Sequence, residues 1–113
     1  MIRNLTLHAV HLVTAGGQVQ LPPEAPPARL RQQATPAGRV EVAGTAIELF
    51  DIGAGGVEGL PVPRPGVWLV VPRLIAEACP ERRDLVFPYR EVRDGAGRVV
   101  GCRALGRAAG AGV

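Results

Sequence analysis

The 113-residue sequence contains neither serine nor lysine, and each absence removes a class of chemistry. A serine nucleophile is excluded, and a phosphate loop of the GKS or GKT type cannot form without its lysine. Nucleophilic catalysis is left to Thr6, Thr14, Thr35, Thr45 and two cysteines. Cys79 and Cys102 form neither a CxxC pair nor a zinc-ligand pattern, and both read as reduced, buried thiols. Cys79, expected at a helix C-terminus, faces the end of the dipole that opposes a thiolate, and Cys102 falls in mid-strand. Aromatics are equally scarce: only Phe50, Trp68, Phe87 and Tyr89 occur, so Val, Leu, Ile and Ala must fill the core. No apolar run approaches the roughly 18 residues of a membrane helix. Met1-Ile2-Arg3-Asn4 leads straight into a strand-like pattern without a signal-peptide stretch, so the expectation is a cytoplasmic protein with no membrane partner. Asn4-Leu5-Thr6 matches the glycosylation tripeptide, which carries weight only in a secreted chain.

What is present points to one strand-rich domain. The length suits a single core, expected over 1–106 with a flexible tail at 107–113, and 47% hydrophobic with 20% charged residues is a globular balance. All 13 basic side chains are arginine. The surplus is local: residues 81–107 hold seven arginines against four acids, whereas the chain before Glu81 balances six against six. Arginines interleaved with Glu and Asp read as a solvated face, and a net charge of +3 argues against a nucleic-acid partner, which demands several phosphate contacts.

Alternation and turn residues place the elements. Ile2 to Thr14 reads as one long strand with a bend or bulge, and Ala15-Gly16-Gly17 turns it into a partner at Gln18 to Leu21. Four prolines between Pro22 and Pro27 predict a stiff surface crossing. Ala28 to Ala34 reads as a charged edge strand, a route to homo-oligomers through strand edges. Arg39 to Val42 and Ala46 to Ile52 flank Ala43-Gly44-Thr45 as the clearest hairpin, with Val40, Val42, Ile47, Leu49 and Ile52 expected in the core. A glycine- and proline-rich stretch, Gly53 to Gly66, reads as a loop or lid. The apolar run Val67 to Val71 has the character of a strand covered on both faces. Pro72 then opens a helix to Cys79, with Leu74, Ile75 and Ala78 at helical spacing. Leu85 to Phe87, Glu91 to Arg93 and Arg98 to Leu105 complete the strands, the last two joined at Asp94-Gly95-Ala96-Gly97. The predicted fold is mainly β: a small curled antiparallel sheet or partly open barrel, with one short helix around 72–79 plugging an opening.

Candidate chemistry is sparse. His8 and His11 would alternate faces on a strand, which argues against metal ligation. Gly53 to Gly59 lacks the dinucleotide fingerprint, because Glu58 stands where a glycine is required. The strand-to-helix junction is the favoured site, since amides at a helix start and the Arg73 guanidinium attract anions. The opposing reading is that Arg73 merely pairs with Glu77 along the helix. The candidate ligand-binding set is Arg73 with Gly55, Gly56, Glu58 and His8; no catalytic residue, metal ligand or cofactor is assigned.

Several stretches carry a resemblance: Arg3-Asn4-Leu5-Thr6-Leu7-His8, Val57-Glu58-Gly59-Leu60-Pro61, Arg73-Leu74-Ile75-Ala76-Glu77-Ala78, Arg83-Asp84-Leu85, Val92-Arg93-Asp94-Gly95 and Gly101-Cys102-Arg103. Over nearly its whole length the chain resembles a family of small uncharacterised proteins of bacteria, archaea and phages. Leu7 departs from that pattern, which has proline there, and Val71-Pro72 replaces a form with serine at the helix start. The resemblance implies one conserved-length module and a phage or mobile-element setting, with no established activity. The leading expectation is a non-enzymatic module binding an anionic small molecule, such as a nucleotide, near Arg73. Two alternatives stand beside it: a protein-interaction or assembly module, and a small hydrolase-like enzyme in which His8 or His11 meets Cys79, Cys102 or Glu58.

Overall fold

The computed structural model describes residues 1–110, apart from the side chain of Ala54. The chain is mainly β, with 56% of residues in strands and 6% in one short helix. Its elements are β1 (Ile2–Asn4), β2 (Val10–Thr14), β3 (Gly17–Leu21), β4 (Arg29–Val42), β5 (Thr45–Glu58), β6 (Trp68–Val70), α1 (Arg73–Ala78), β7 (Leu85–Arg93) and β8 (Val99–Gly106). Residues 111–113 of the expected tail lie outside the described residues.

Six strands form a curled sheet in the order β1-β6-β7-β8-β2-β3. Its two edges nearly meet, because Asn4 bridges to Pro23 just beyond β3, and the Glu24 amide donates to the Asn4 carbonyl at 2.8 Å. The proline-rich crossing therefore helps to close the barrel. Pairing is mixed: β1, β6 and β7 run parallel, as do β2 and β8, while β2/β3 and β7/β8 are antiparallel. Parallel neighbours need a crossover, which α1 supplies between β6 and β7.

Two apolar clusters lie on opposite faces of the sheet. The inner one gathers Val10, Val70, Val86 and Cys102, with Ile2, Leu12, Leu21 and Leu105 around them, so every strand of the barrel contributes. The outer one holds Leu69, Val71, Leu85 and Phe87 with Leu5, Ala28 and two helical residues, Ile75 and Ala76. Leu69, Val70 and Val71 are thus covered on both faces, as their continuous apolar run implied.

Several expectations need correction. Ile2 to Thr14 is two strands separated by a bend, because β1 and β2 occupy different places in the sheet. The helix buries Ile75 and Ala76 while Leu74 and Ala78 face solvent. It lies over the outer face, against β7 and the bases of β4 and β5, and does not plug the barrel. Leu85 to Phe87 and Glu91 to Arg93 belong to one strand, β7, with Arg90 at φ 58° and a register shift against β8 between Val92 and Arg93.

The largest correction concerns β4 and β5, which form a separate two-stranded ribbon. The hairpin was legible, and Ala43 (φ 50°) with Gly44 (φ 80°) makes the tight turn that such a loop demands. Both strands are much longer than expected: β4 extends the Ala28 to Ala34 segment to Val42, and β5 absorbs Gly53 to Glu58, so Gly55 and Gly56 are strand residues and not a lid. Only the base is anchored, where Leu30 and Val57 pack on the outer cluster. Val40, Val42, Ile47, Leu49 and Ile52 stay 42–59% exposed and are not core. A ribbon can bury an apolar face only against another layer, and this one projects away from the body. The radius of gyration is accordingly 17.9 Å, against about 13 Å for a compact chain of this length.

Asn4 is 1% exposed and ties the closure together. Its Nδ2 donates to the carbonyls of His8 (2.8 Å) and Leu21 (2.9 Å), and its Oδ1 accepts from the Thr6 amide (3.0 Å) and hydroxyl (2.6 Å). Glycosylation at this tripeptide would replace one of the two donated hydrogens and place a sugar at a buried atom. Asn4→Ala removes the donor to the Leu21 carbonyl and the acceptor of the Thr6 amide from a buried position and is expected to cost about 3 kcal/mol in urea unfolding; a loss below about 1 kcal/mol would refute the closing role.

Candidate functional site

The expected junction site is occupied by its own side chains. Arg73 opens α1, its Nε donates to Glu77 Oε1 at 2.8 Å, and its guanidinium lies 5.2 Å from the Phe87 ring centroid. Pro72 contributes no amide, and the Ile75 and Ala76 amides are bonded to the Pro72 carbonyl at 3.0 and 3.3 Å. Gly55 and Gly56 lie in the irregular part of β5, where Gly56 pairs with Arg31. Glu58 ends that strand and forms an ion pair with Arg31. Because α1 packs on the bases of β4 and β5, Arg73 and Glu58 belong to adjoining elements. His8 is not joined to them: it sits exposed on the bend between β1 and β2, where its carbonyl accepts from Asn4 and Thr6.

Of the residues named for an enzyme, His11 and Cys102 border one cleft of the barrel, together with Glu91. Burial pushes both the Cys79 and Cys102 thiols up, away from the thiolate a nucleophile requires. His11, in β2, shares its Nε2 with Gln18 Oε1 at 3.1 Å across the first hairpin. Among the described residues no three His, Cys, Asp or Glu side chains converge as metal ligands.

A different cleft has a more coherent character. At the β6 end of the barrel, Arg64, Trp68, Arg83, Asp84 and Arg107 line a space of about 340 Å³. Trp68 precedes Val70 by two residues and so shares its inward face. At the strand end it stands at the barrel mouth, 44% exposed. The turn in front of it is fixed by the Val67 amide on the Arg64 carbonyl (3.2 Å) and by the N-terminal amine on the Gly66 carbonyl (2.8 Å). Arg83 enters from the start of β7, and Arg107 from the end of β8.

A half-buried latch sets the charge of this cleft. Arg82 grips Asp84 with two hydrogen bonds, Nε to Oδ1 at 2.9 Å and Nη2 to Oδ2 at 2.8 Å, and also donates to the Pro61 carbonyl at 2.9 Å. The loop before β6 is thereby tied to β7. The hydrogen bond from Arg82 holds the Asp84 carboxyl below its usual range despite partial burial. With Asp84 held by Arg82, Arg64 and Arg107 contribute the positive field of the cleft.

An indole face beside planar guanidiniums can hold a flat anion by stacking and bidentate hydrogen bonds. The one carboxylate in the lining, Asp84, is held by Arg82. Sequence reasoning missed this grouping because Arg83 and Arg107 reach Arg64 and Trp68 only through the fold; the lone tryptophan beside an Arg-Pro-Gly turn was the available signal. No family model, curated protein or solved structure matches the chain.

The latch carries a pH signature. Asp84 has a lower pKa folded than unfolded, so its stabilisation is complete above the unfolded value near pH 4 and is lost as the pH falls through the folded value. Urea midpoints measured from pH 7 down to pH 3 should therefore fall less steeply below about pH 4 in Asp84→Asn than in the natural chain. Parallel acid limbs would remove the latch from the account.

Proposed function

We propose that the protein is a non-enzymatic binding module for a planar anion of the nucleotide class, held in the cleft at the barrel mouth. One observation carries this reading: arginines from three separate segments, before β6, before β7 and after β8, line the same cleft as the chain's single tryptophan. The base or another flat ring stacks on Trp68, and the phosphates meet Arg64 and Arg107, with Arg83 at the same rim. A site of about 340 Å³ lies within the range of small-molecule pockets. The expected ligand class is kept, while its location moves from Arg73, whose guanidinium already has Glu77 and Phe87 as partners. A cytoplasmic setting supplies such ligands, and in the phage setting that the resemblance implies, the module would sequester a nucleotide signal.

Trp68 is also the reporter, since no other tryptophan contributes fluorescence. Titration with nucleoside mono-, di- and triphosphates should quench it, whereas uncharged nucleosides should not. Loss of one charge-assisted contact in Arg64→Ala or Arg107→Ala should weaken binding by about tenfold or more. Arg73→Ala should leave the titration unchanged. No quenching and no thermal shift with any nucleotide would reject the proposal, and sensitivity to Arg73→Ala alone would return the site to the helix.

A further inference from the structure

The arm offers a surface that the cleft reading does not use. In the β4–β5 ladder paired residues share a face, so Val40 and Ile47 stand together with Val42 and Leu49 on one side near the tip. The opposite side at the tip carries Arg39, Glu41 and Glu48. The extra residue between Pro36 and Arg39 resets β4, and nearer the base the apolar set Ala34, Pro36, Phe50 and Ile52 lies on that opposite face. Both apolar sets are unpartnered: Phe50 is 48% and Ile52 59% exposed, with the tip residues similar. An isolated two-stranded ribbon has little stability of its own in water.

The same chain carries a matching receiver. β2, β7 and β8 border a cleft of about 400 Å³ whose lining joins Val10, Pro88, Val99 and Val100 to the polar His11 and Glu91. Val99 and Val100 are 51% and 47% exposed, and Tyr89 on β7 is 50% exposed. Charge separates in the same sense. From Gln32 to Ala54 one arginine stands against three acids (Glu41, Glu48 and Asp51), which leaves the rest of the chain twelve arginines against seven acids. β7, β8 and their hairpin hold Arg90, Arg93, Arg98 and Arg103 against Glu91 and Asp94, which pair with Arg93 and Arg98, so this side keeps a surplus of two positive charges.

We infer that the arm is received by a second copy of this chain, each tip seating its Val40, Val42, Ile47 and Leu49 face on the β7–β8 side of its partner. One chain supplies both an apolar arm of net negative charge, with Glu41 and Glu48 on the face turned away from the contact, and an apolar receiver of net positive charge, so a two-fold exchange satisfies both with a single kind of contact. The area is sufficient. The ribbon beyond its base is about 25 Å long and 10 Å wide on each face. An arm burying about 400 Å², together with an equal receiving surface, gives about 800 Å² per copy, the size of a standard stable interface.

Light scattering on the eluting natural chain should give twice the 11.8 kDa monomer mass. Ile47→Glu on the arm and Val100→Glu on the receiver, each at an exposed position, should separately weaken the dimer by at least about tenfold, with unchanged circular dichroism showing that the body remains folded. Raising the salt should also promote dissociation. A monomer at all concentrations, or a dimer indifferent to Ile47→Glu, overturns the inference. Disruption by Ile47→Glu but not by Val100→Glu indicates arm-to-arm pairing and overturns the receiver, while rings or filaments larger than two copies overturn the reciprocal exchange.

Discussion

The Asn4 side chain is the point on which the barrel depends. A six-stranded sheet with β1 at one end and β3 at the other would expose two edges, and unpaired edges invite association. Asn4 meets both, with its backbone at the Pro23 bridge and its amide on Leu21, while its carbonyl oxygen holds Thr6 in the bend leading to β2. A buried amide makes this join more specific than an apolar residue can, because every donor and acceptor must be met by geometry. With the edges joined, Val70 and Val86 have an interior to face, and Leu69 and Leu85 an exterior that α1 covers.

Economy of apolar residues explains the rest of the architecture. The buried centre of the inner cluster is three valines and one cysteine, with Ile2, Leu12, Leu21 and Leu105 around it. The outer cluster takes larger residues, because a helix of six residues can contribute only Ile75 and Ala76 and leaves the arm base to finish the cover. Six large side chains of the arm are left about half-exposed, each forgoing on the order of 1 kcal/mol of burial. A chain so sparing of aromatics does not need these residues for its own core. Their placement on a long ribbon and the clustering of arginines around Trp68 put recognition at two separate ends of the molecule.

Legibility followed the range of the interactions. The both-faces-covered strand at Val67 to Val71, the helix after Pro72 and the turns at Gly16, Gly44 and Gly97 were readable, since each rests on neighbours within a few residues. The neutral reading of Arg73, a pair with Glu77 four residues on, was equally local and is the contact observed. Asn4 was read only as a glycosylation tripeptide, because its partners His8 and Leu21 come together through the fold. Gly53 to Glu58 was read as a loop because small residues lack strand propensity, yet the long partner β4 carries them as a ribbon.

By itself the sequence determined where strands, turns and the helix lie, and that no serine or lysine chemistry is available, since local periodicity and residue identity encode those properties. Only the tertiary structure decided which alternating faces are core. Val40 and Ile47 alternate much as Val70 and Val86 do, and the difference is whether another layer lies opposite. The cleft at Trp68 was decided in the same way: Arg64, Arg83 and Arg107 meet there because three elements end at one mouth of the barrel. Period-two alternation tells a strand which residues share a face, but the partner of that face is set by long-range closure, and here that closure runs through Asn4.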